Sequence, residues 1–184
     1  MMINETQGKK LLKLARNSIE SYFSGSELDF ENYKKEFKEK QGVFVTLTEN
    51  EELRGCIGFP YPMLSLAEAI VRAAQAAAFE DSRFLPLRKE ELSKIKIEIS
   101  VLTIPEEIKC KKEKIPEEIK IGEEGLIVQL ERNSGLLLPQ VATEYKWKER
   151  EFLEHTCEKA GLDKDAWKEK NCSVFKFQAQ IFDE

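Results

Sequence analysis

The sequence predicts an α+β protein with a mostly antiparallel sheet flanked by helices. Three observations predict it. Two pairs of β-forming runs, 43–47 with 53–58 and 125–130 with 136–138, are each divided by a short polar turn, the signature of a hairpin. Ile95, Ile97, Ile99 and Val101 alternate with Lys96, Glu98 and Ser100, the period of a half-buried strand. Other segments carry apolar residues at three- and four-residue steps and read as helices. Hairpins join antiparallel neighbours. The order helices, hairpin, helix, strand, hairpin, helices, strand therefore argues against a doubly wound parallel sheet.

Each element has its own warrant. Residues 7–24 form a helix with Leu11, Ala15, Ile19 and Tyr22 on its stripe and Gly25 at its end. Residues 29–38 form a second, with Asp29 as its cap and Phe30, Tyr33 and Phe37 on one side. Gly42 opens the first hairpin, which turns at 49–52. Ser65-Leu66-Ala67-Glu68 is a capping box. The helix it starts has a stripe of Ala67, Ile70, Val71, Ala74, Ala77 and Ala78, so small that another element must approach closely. It leads into Phe79–Phe84 and stops before Pro86. After the strand at 94–102, Ile104-Pro105-Glu106-Glu107-Ile108-Lys109 recurs at 115–120. Two copies are too few for a solenoid and read as a charged connector without a function of its own.

The second hairpin turns at 131–135, and Pro139 ends it. Two helical pieces follow, at 140–146 and 149–160. A single helix would put Glu149 inside the apolar face and Trp147 opposite it. Phe152, Leu153, Thr156 and Ala160 face the core, with Gly161 as the stop. Asp163 caps a short helix through Trp167. Val174–Phe182 is the last strand, with Phe175, Phe177, Ala179 and Ile181 on one face.

A chain of 184 residues, 41% hydrophobic and 34% charged, suits one large domain or two small lobes sharing a core. Its net charge of -5 disfavours general nucleic-acid binding, which rests on lysine and arginine. No apolar run reaches the ~18 residues of a membrane span, and no apolar stretch follows a basic start, so neither a membrane span nor a secretory leader is expected. Cys56, Cys110, Cys157 and Cys172 contain no Cys-x-x-Cys pair. They form neither a disulfide nor a zinc framework, and reduced thiols in the cytoplasm are the expectation, with no metal and no cofactor. The chain lacks Gly-x-Gly-x-x-Gly, a Walker loop, His-Glu-x-x-His, Gly-x-Ser-x-Gly and the RNA-recognition signature.

The strongest functional signal is Arg54-Gly55-Cys56-Ile57-Gly58. In an extended strand Arg54 and Cys56 emerge on one face, where a guanidinium would favour the thiolate. Gly55 and Gly58 let a ligand approach the backbone, or mark a bulge. Asp81 and Arg83 follow the capped helix, as a cap or as a clamp on substrate groups. Glu98 lies on the polar face of its strand, and Gln140 follows Pro139 at a helix start. His155, the single histidine, lies about 120° from the centre of its helix's apolar face and reads as a surface residue.

Leu53-Arg54-Gly55-Cys56-Ile57-Gly58 resembles the signature of the AMMECR family. Ala73-Ala74 with Asp81-Ser82-Arg83-Phe84 and Pro86 is similar to a second block of that family, and Glu90-Glu91-Leu92 with Ile97–Leu102 to a third. Leu138–Ala142, Trp147, Phe152-Leu153, Lys159–Leu162 and Trp167 resemble a fourth. Lys148 departs from the pattern, standing where relatives often place a helix cap. The resemblance covers nearly the whole chain. It implies a single domain over 1–184 with two intertwined lobes and a cleft, and it marks Arg54–Gly58 as the functional element. It also implies as partners a Memo-like protein and a radical S-adenosylmethionine enzyme, encoded beside or joined to relatives. This chain resembles the first component alone and has no Cys-x-x-x-Cys-x-x-Cys motif.

Two functions are open on these residues. In the favoured one, Arg54, Gly55, Ile57 and Gly58, with Asp81, Arg83 and Gln140, bind a small polar ligand or a partner protein. In the alternative, an enzyme or enzyme component uses Cys56 as nucleophile or acceptor thiol. No base is visible to pair with Cys56, which favours binding.

Overall fold

The structure is a computed structural model that describes residues 2–184. The chain falls into two units: the first runs to Leu102 and takes in Gln180–Glu184, and the second is Thr103–Ala179.

In the first unit, helix α1 (Glu5–Ser24) starts two residues before its apolar stripe suggests. The Asn4 side chain accepts from the Gln7 N–H and the Gln7 side chain from the Asn4 N–H, a capping box that recruits the extra turn. Gly25 ends it with φ 65°. Leu11, Ala15 and Ile19 are buried, but Tyr22 is 64% exposed and stacks on Phe79, with ring centroids 4.0 Å apart. Helix α2 (Glu31–Glu36) is shorter than expected and starts after Phe30 with no side-chain cap, so Asp29 does not cap it. Phe37 anchors its end in the core.

Strands β1 (Gly42–Glu49) and β2 (Glu52–Phe59) form the first hairpin. Its turn residues, Asn50 and Glu51, both have positive φ, as the tight two-residue hairpin turns require. The Ser65 capping box starts α3 (Leu66–Phe79), and β3 (Ile95–Leu102) returns antiparallel to β1. The strand order is β2-β1-β3. Val43, Val45 and Leu47 point to the same side as Ile95, Ile97, Ile99 and Val101, and all pack with α1 and the alanines of α3 into one core. Burial of that shared apolar side is what holds the layer of helices on the sheet.

In the second unit, the two-residue strand β4 (Glu106–Glu107) precedes a 3-10 segment, Lys112–Glu118. The repeat is more than a charged connector: Ile115 and Ile119 are buried in the core with Phe152, Leu153 and Trp167. Strands β5 (Glu124–Leu130) and β6 (Asn133–Leu137) form the second hairpin, whose turn is only Glu131-Arg132. Helices α4 (Pro139–Glu144) and α5 (Glu149–Lys159) are separate, as read from Trp147 and Glu149. Lys148 does not prevent the start of α5, because its N–H donates to Glu151 at 2.9 Å. Asp163 makes no side-chain cap, and the 3-10 turn Ala166–Lys168 follows Asp165.

Strand β7 (Ser173–Asp183) pairs with β5 and β4 through its first part. Its last residues belong to the first unit, where Glu184 N–H donates to Ile97 C=O. The predicted single apolar face fails here. Val174 and Phe177 are buried, Ile181 is exposed and Phe182 packs into the first unit's core. A strand that serves two cores does not keep one alternation.

Candidate functional site

The Arg54–Gly58 segment lies on β2, the end strand of the first unit's sheet. Leu47 pairs with Gly55, but Thr48 pairs with Leu53, so Arg54 is an extra residue without a partner on β1. Such a bulge re-aims its side chain. Arg54 therefore does not stand over the Cys56 sulfur. Its Nε donates to Glu91 Oε1 at 2.8 Å and its Nη2 to Glu91 Oε2 at 3.3 Å. Glu91, in the 3-10 turn Lys89–Glu91, also accepts the Arg88 N–H at 2.8 Å. Arg54 holds the Glu91 carboxyl down to about 2, against the opposing effect of burial.

The two glycines answer to packing. A Cβ on Gly55 would lie 2.1 Å from the Ala77 carbonyl oxygen, so the bare backbone is what lets α3 approach β2. A Cβ on Gly58 would lie 2.4 Å from the Phe44 ring, its cross-strand partner. Ile57, opposite Val45, is a partly buried flank of the core.

Cys56 is gripped by its backbone. Its N–H donates to Asp81 Oδ2 at 2.9 Å, and its carbonyl accepts from Arg83 Nη2 at 3.3 Å. Arg83 in turn donates to both Asp81 oxygens, Nε to Oδ1 at 2.9 Å and Nη2 to Oδ2 at 2.7 Å. Asp81 is buried, and the Arg83 guanidinium keeps its carboxyl well below the usual carboxylate range. Together they cover the outer edge of β2, where a further strand would otherwise bond. The bulge brings Thr46 opposite Cys56, and Thr46 Oγ1 donates to the sulfur at 3.2 Å. Glu98 pairs with Thr46 from the other side. Burial pushes the Cys56 thiol up; Thr46 and Arg83 pull it down by less, and Asp81 and Glu98 add to the rise. The balance favours the thiol over the thiolate.

Beside this bracket is a pocket of about 450 Å³ lined by Arg54, Arg83, Arg88, Glu91 and the stretch Phe84 to Pro86. The other two residues of interest belong to the second unit. Gln140 is the second residue of α4, and its Oε1 is buried without a hydrogen-bond partner among the described residues. His155 is half-buried: it stacks on Trp147 at 3.9 Å between centroids, and its Nδ1 lies 2.8 Å from Glu158. Among the described residues no group of three or more His, Cys, Asp or Glu could hold a metal ion, and no helix is long and apolar enough to cross a membrane.

Sequence reasoning missed Thr46, Arg88 and Glu91. Counting back from the turn would place Thr46 opposite Gly55; the glycines could mark a bulge, as they do beside Arg54, but they did not say which residue would be the extra one. Arg88 and Glu91 did carry one, the three-residue spacing by which a carboxylate returns to a backbone N–H.

Comparison with known proteins identifies the family. The family model described as AMMECR1 matches residues 12–182. A protein of Methanosarcina barkeri is 49% identical over 189 residues, covering 100% of this chain and 93% of its own. One from Aquifex aeolicus is 46% identical over 179 residues, covering 96% and 92%. The crystal structure of an uncharacterised protein from Pyrococcus horikoshii superposes with a TM-score of 0.93 at 46% identity, covering 99% of this chain and 93% of that one.

Proposed function

This chain belongs to the AMMECR1 family, and from that premise we propose that it is a binding component whose recognition surface is the bracketed outer edge of β2 and the adjoining pocket. One arrangement carries the reading. Buried Asp81 ties the Arg83 guanidinium to the Cys56 backbone, and Arg83 remains 50% exposed on the pocket wall. A buried carboxylate that fixes a half-exposed arginine is a preorganised recognition group, because little rotamer freedom is left to lose on binding. Burial, which pushes the Cys56 thiol up, counts against the nucleophile alternative. The partners proposed with it are a small polar ligand, a Memo-like protein and a radical S-adenosylmethionine enzyme, met in the cytoplasm.

Titration calorimetry tests this with those two proteins, purified, and a library of small polar metabolites, against wild type and Asp81→Asn. At least one should bind, and Asp81→Asn should weaken it about tenfold while leaving the protein folded, since charge-assisted hydrogen bonds are at stake. Binding of none of them by wild type, or equal binding by the variant, refutes the proposal.

A further inference from the structure

Three guanidinium groups converge on one pocket in a chain of net charge -5. Their hydrogen bonds show what each still has to offer. Arg83 spends Nε and Nη2 on Asp81 and Cys56, and its Nη1 has no partner among the described residues. Arg54 spends Nε and Nη2 on Glu91, which leaves its Nη1 in the same state. The Arg88 side chain is 80% exposed, and its guanidinium reaches Glu91 only through Nε, at 3.4 Å. Against these three positive charges stand Glu91 in the lining and Asp81 behind Arg83, so the site is locally cationic by one charge. The rest of the wall is apolar. Phe84 lies under the Arg83 guanidinium, 5.4 Å from ring centroid to carbon, and Leu85 is 84% exposed. The first unit's core does not include Leu85.

Resting on the binding reading above, we infer that this pocket is a receptor for a small oxyanion carried on an apolar body. A carboxylate or phosphoryl group would take Nη1 of Arg83 and the Nη1–Nη2 edge of Arg88, and the body would lie on Phe84 to Pro86. Two physical reasons select this class. Guanidinium forks match planar or tetrahedral oxyanions and are less strongly hydrated than ammonium groups, so they give up water readily. The pocket also contains an internal example, since the Glu91 carboxylate already sits in the fork of Arg54. Arg54 and Glu91 form the floor, and Arg83 and Arg88 are the groups left for the ligand.

The test follows the arginine Nε–Hε resonances by NMR while phenyl phosphate, benzoate, inorganic phosphate or neutral benzyl alcohol is added. Both aromatic anions should shift Arg83 and Arg88 saturably. Their relative affinities tell phosphoryl from carboxylate preference. Inorganic phosphate should bind more weakly, because it leaves the apolar wall uncovered, and benzyl alcohol should leave both signals in place. Arg88→Ala should weaken the better anion by about fivefold, as for an exposed charge. Arg83→Lys keeps the charge but loses Nη1 and the two-point hold on Asp81 that positions it, and should weaken it about tenfold. The amide spectrum of each variant checks that the fold is intact. Absence of a saturable shift with any anion at about 20 mM, well above a millimolar Kd, overturns the inference. Unchanged affinity in both variants does the same. A neutral ligand that binds wild type and is lost in Asp81→Asn would remove the anion assignment and leave the binding reading standing.

Discussion

The two units build the same three strands in the same order. In the first, hairpin β1–β2 is followed by α3 and then by β3, antiparallel to β1. In the second, hairpin β5–β6 is followed by α4 and α5 and then by β7, antiparallel to β5. In each, the second hairpin strand carries a glycine pressed against the last turn of a helix. A Cβ on Gly55 would meet the Ala77 carbonyl at 2.1 Å, and one on Gly135 would meet the Ala160 nitrogen at 2.4 Å. The residues beyond the helix differ. After α3 come Asp81 and Arg83, which bracket β2. After α5 comes Gly161, in the left-handed conformation at φ 72°, where α3 is followed by Asp81; the charged Asp163 accepts from Ala166 N–H through its backbone carbonyl, and Asp165 pairs with Arg150 and Lys168 and not with β6. The glycine is therefore architecture that both units share. The charged bracket is what the first unit adds.

The largest effects test the shared part. Gly55→Ala should cost about 3 kcal/mol in denaturant unfolding, because its Cβ meets backbone that moves only if α3 moves. Gly135→Ala should cost about 2 kcal/mol, because it meets the terminal turn of α5, which yields more easily. A Gly55→Ala protein with a wild-type midpoint would break the comparison and give Gly55 back to a ligand.

The shared part is also the part that was legible in the sequence. Alternation in Ile95–Val101, the Ser65–Glu68 box and the alanine stripe of α3 are local patterns, and each survives in the fold. The bracket was only half legible. Asp81 and Arg83 could be named, but their grip on the Cys56 backbone depends on long-range packing. The role expected of Arg54 fails for one reason, a bulge that changes which way a strand residue points. Strand β7 fails in a similar way, because its alternation changes where it leaves one core for another.

An intermediate effect comes from Glu91, the floor of the bracketed region. Its carboxyl is lowered to about 2 in the folded protein, from an unfolded value of about 4.3. The group therefore stabilises the fold fully above the unfolded value, and that contribution is lost as pH falls from about 4.3 towards 2. Glu91→Gln should cost about 2 kcal/mol at pH 7, since it leaves Arg54 unpaired at 16% exposure. The gap between wild type and variant should close across that acid window in pH-dependent unfolding. A gap that persists at pH 2 would mean that Glu91 acts by shape and not by charge.

The smallest effect in stability, and the sharpest test of what the bracket is for, is at Cys56. Cys56→Ala keeps both backbone bonds to Asp81 and Arg83 and should cost at most about 1 kcal/mol. The wild-type thiol should react with iodoacetamide at pH 7 about tenfold more slowly than a free thiol such as glutathione, and its rate should climb only above the ordinary thiol range. Cys157, sealed in the second unit's core with its thiol pushed up to about 11, sets the inert limit within the same protein. The opposite result would be informative. Cys56 reacting faster than glutathione, with a midpoint below the ordinary value, would mean that Thr46 and Arg83 outweigh burial. The bracket that distinguishes the first unit from the second would then be an activating device, and the enzyme reading would displace the binding one.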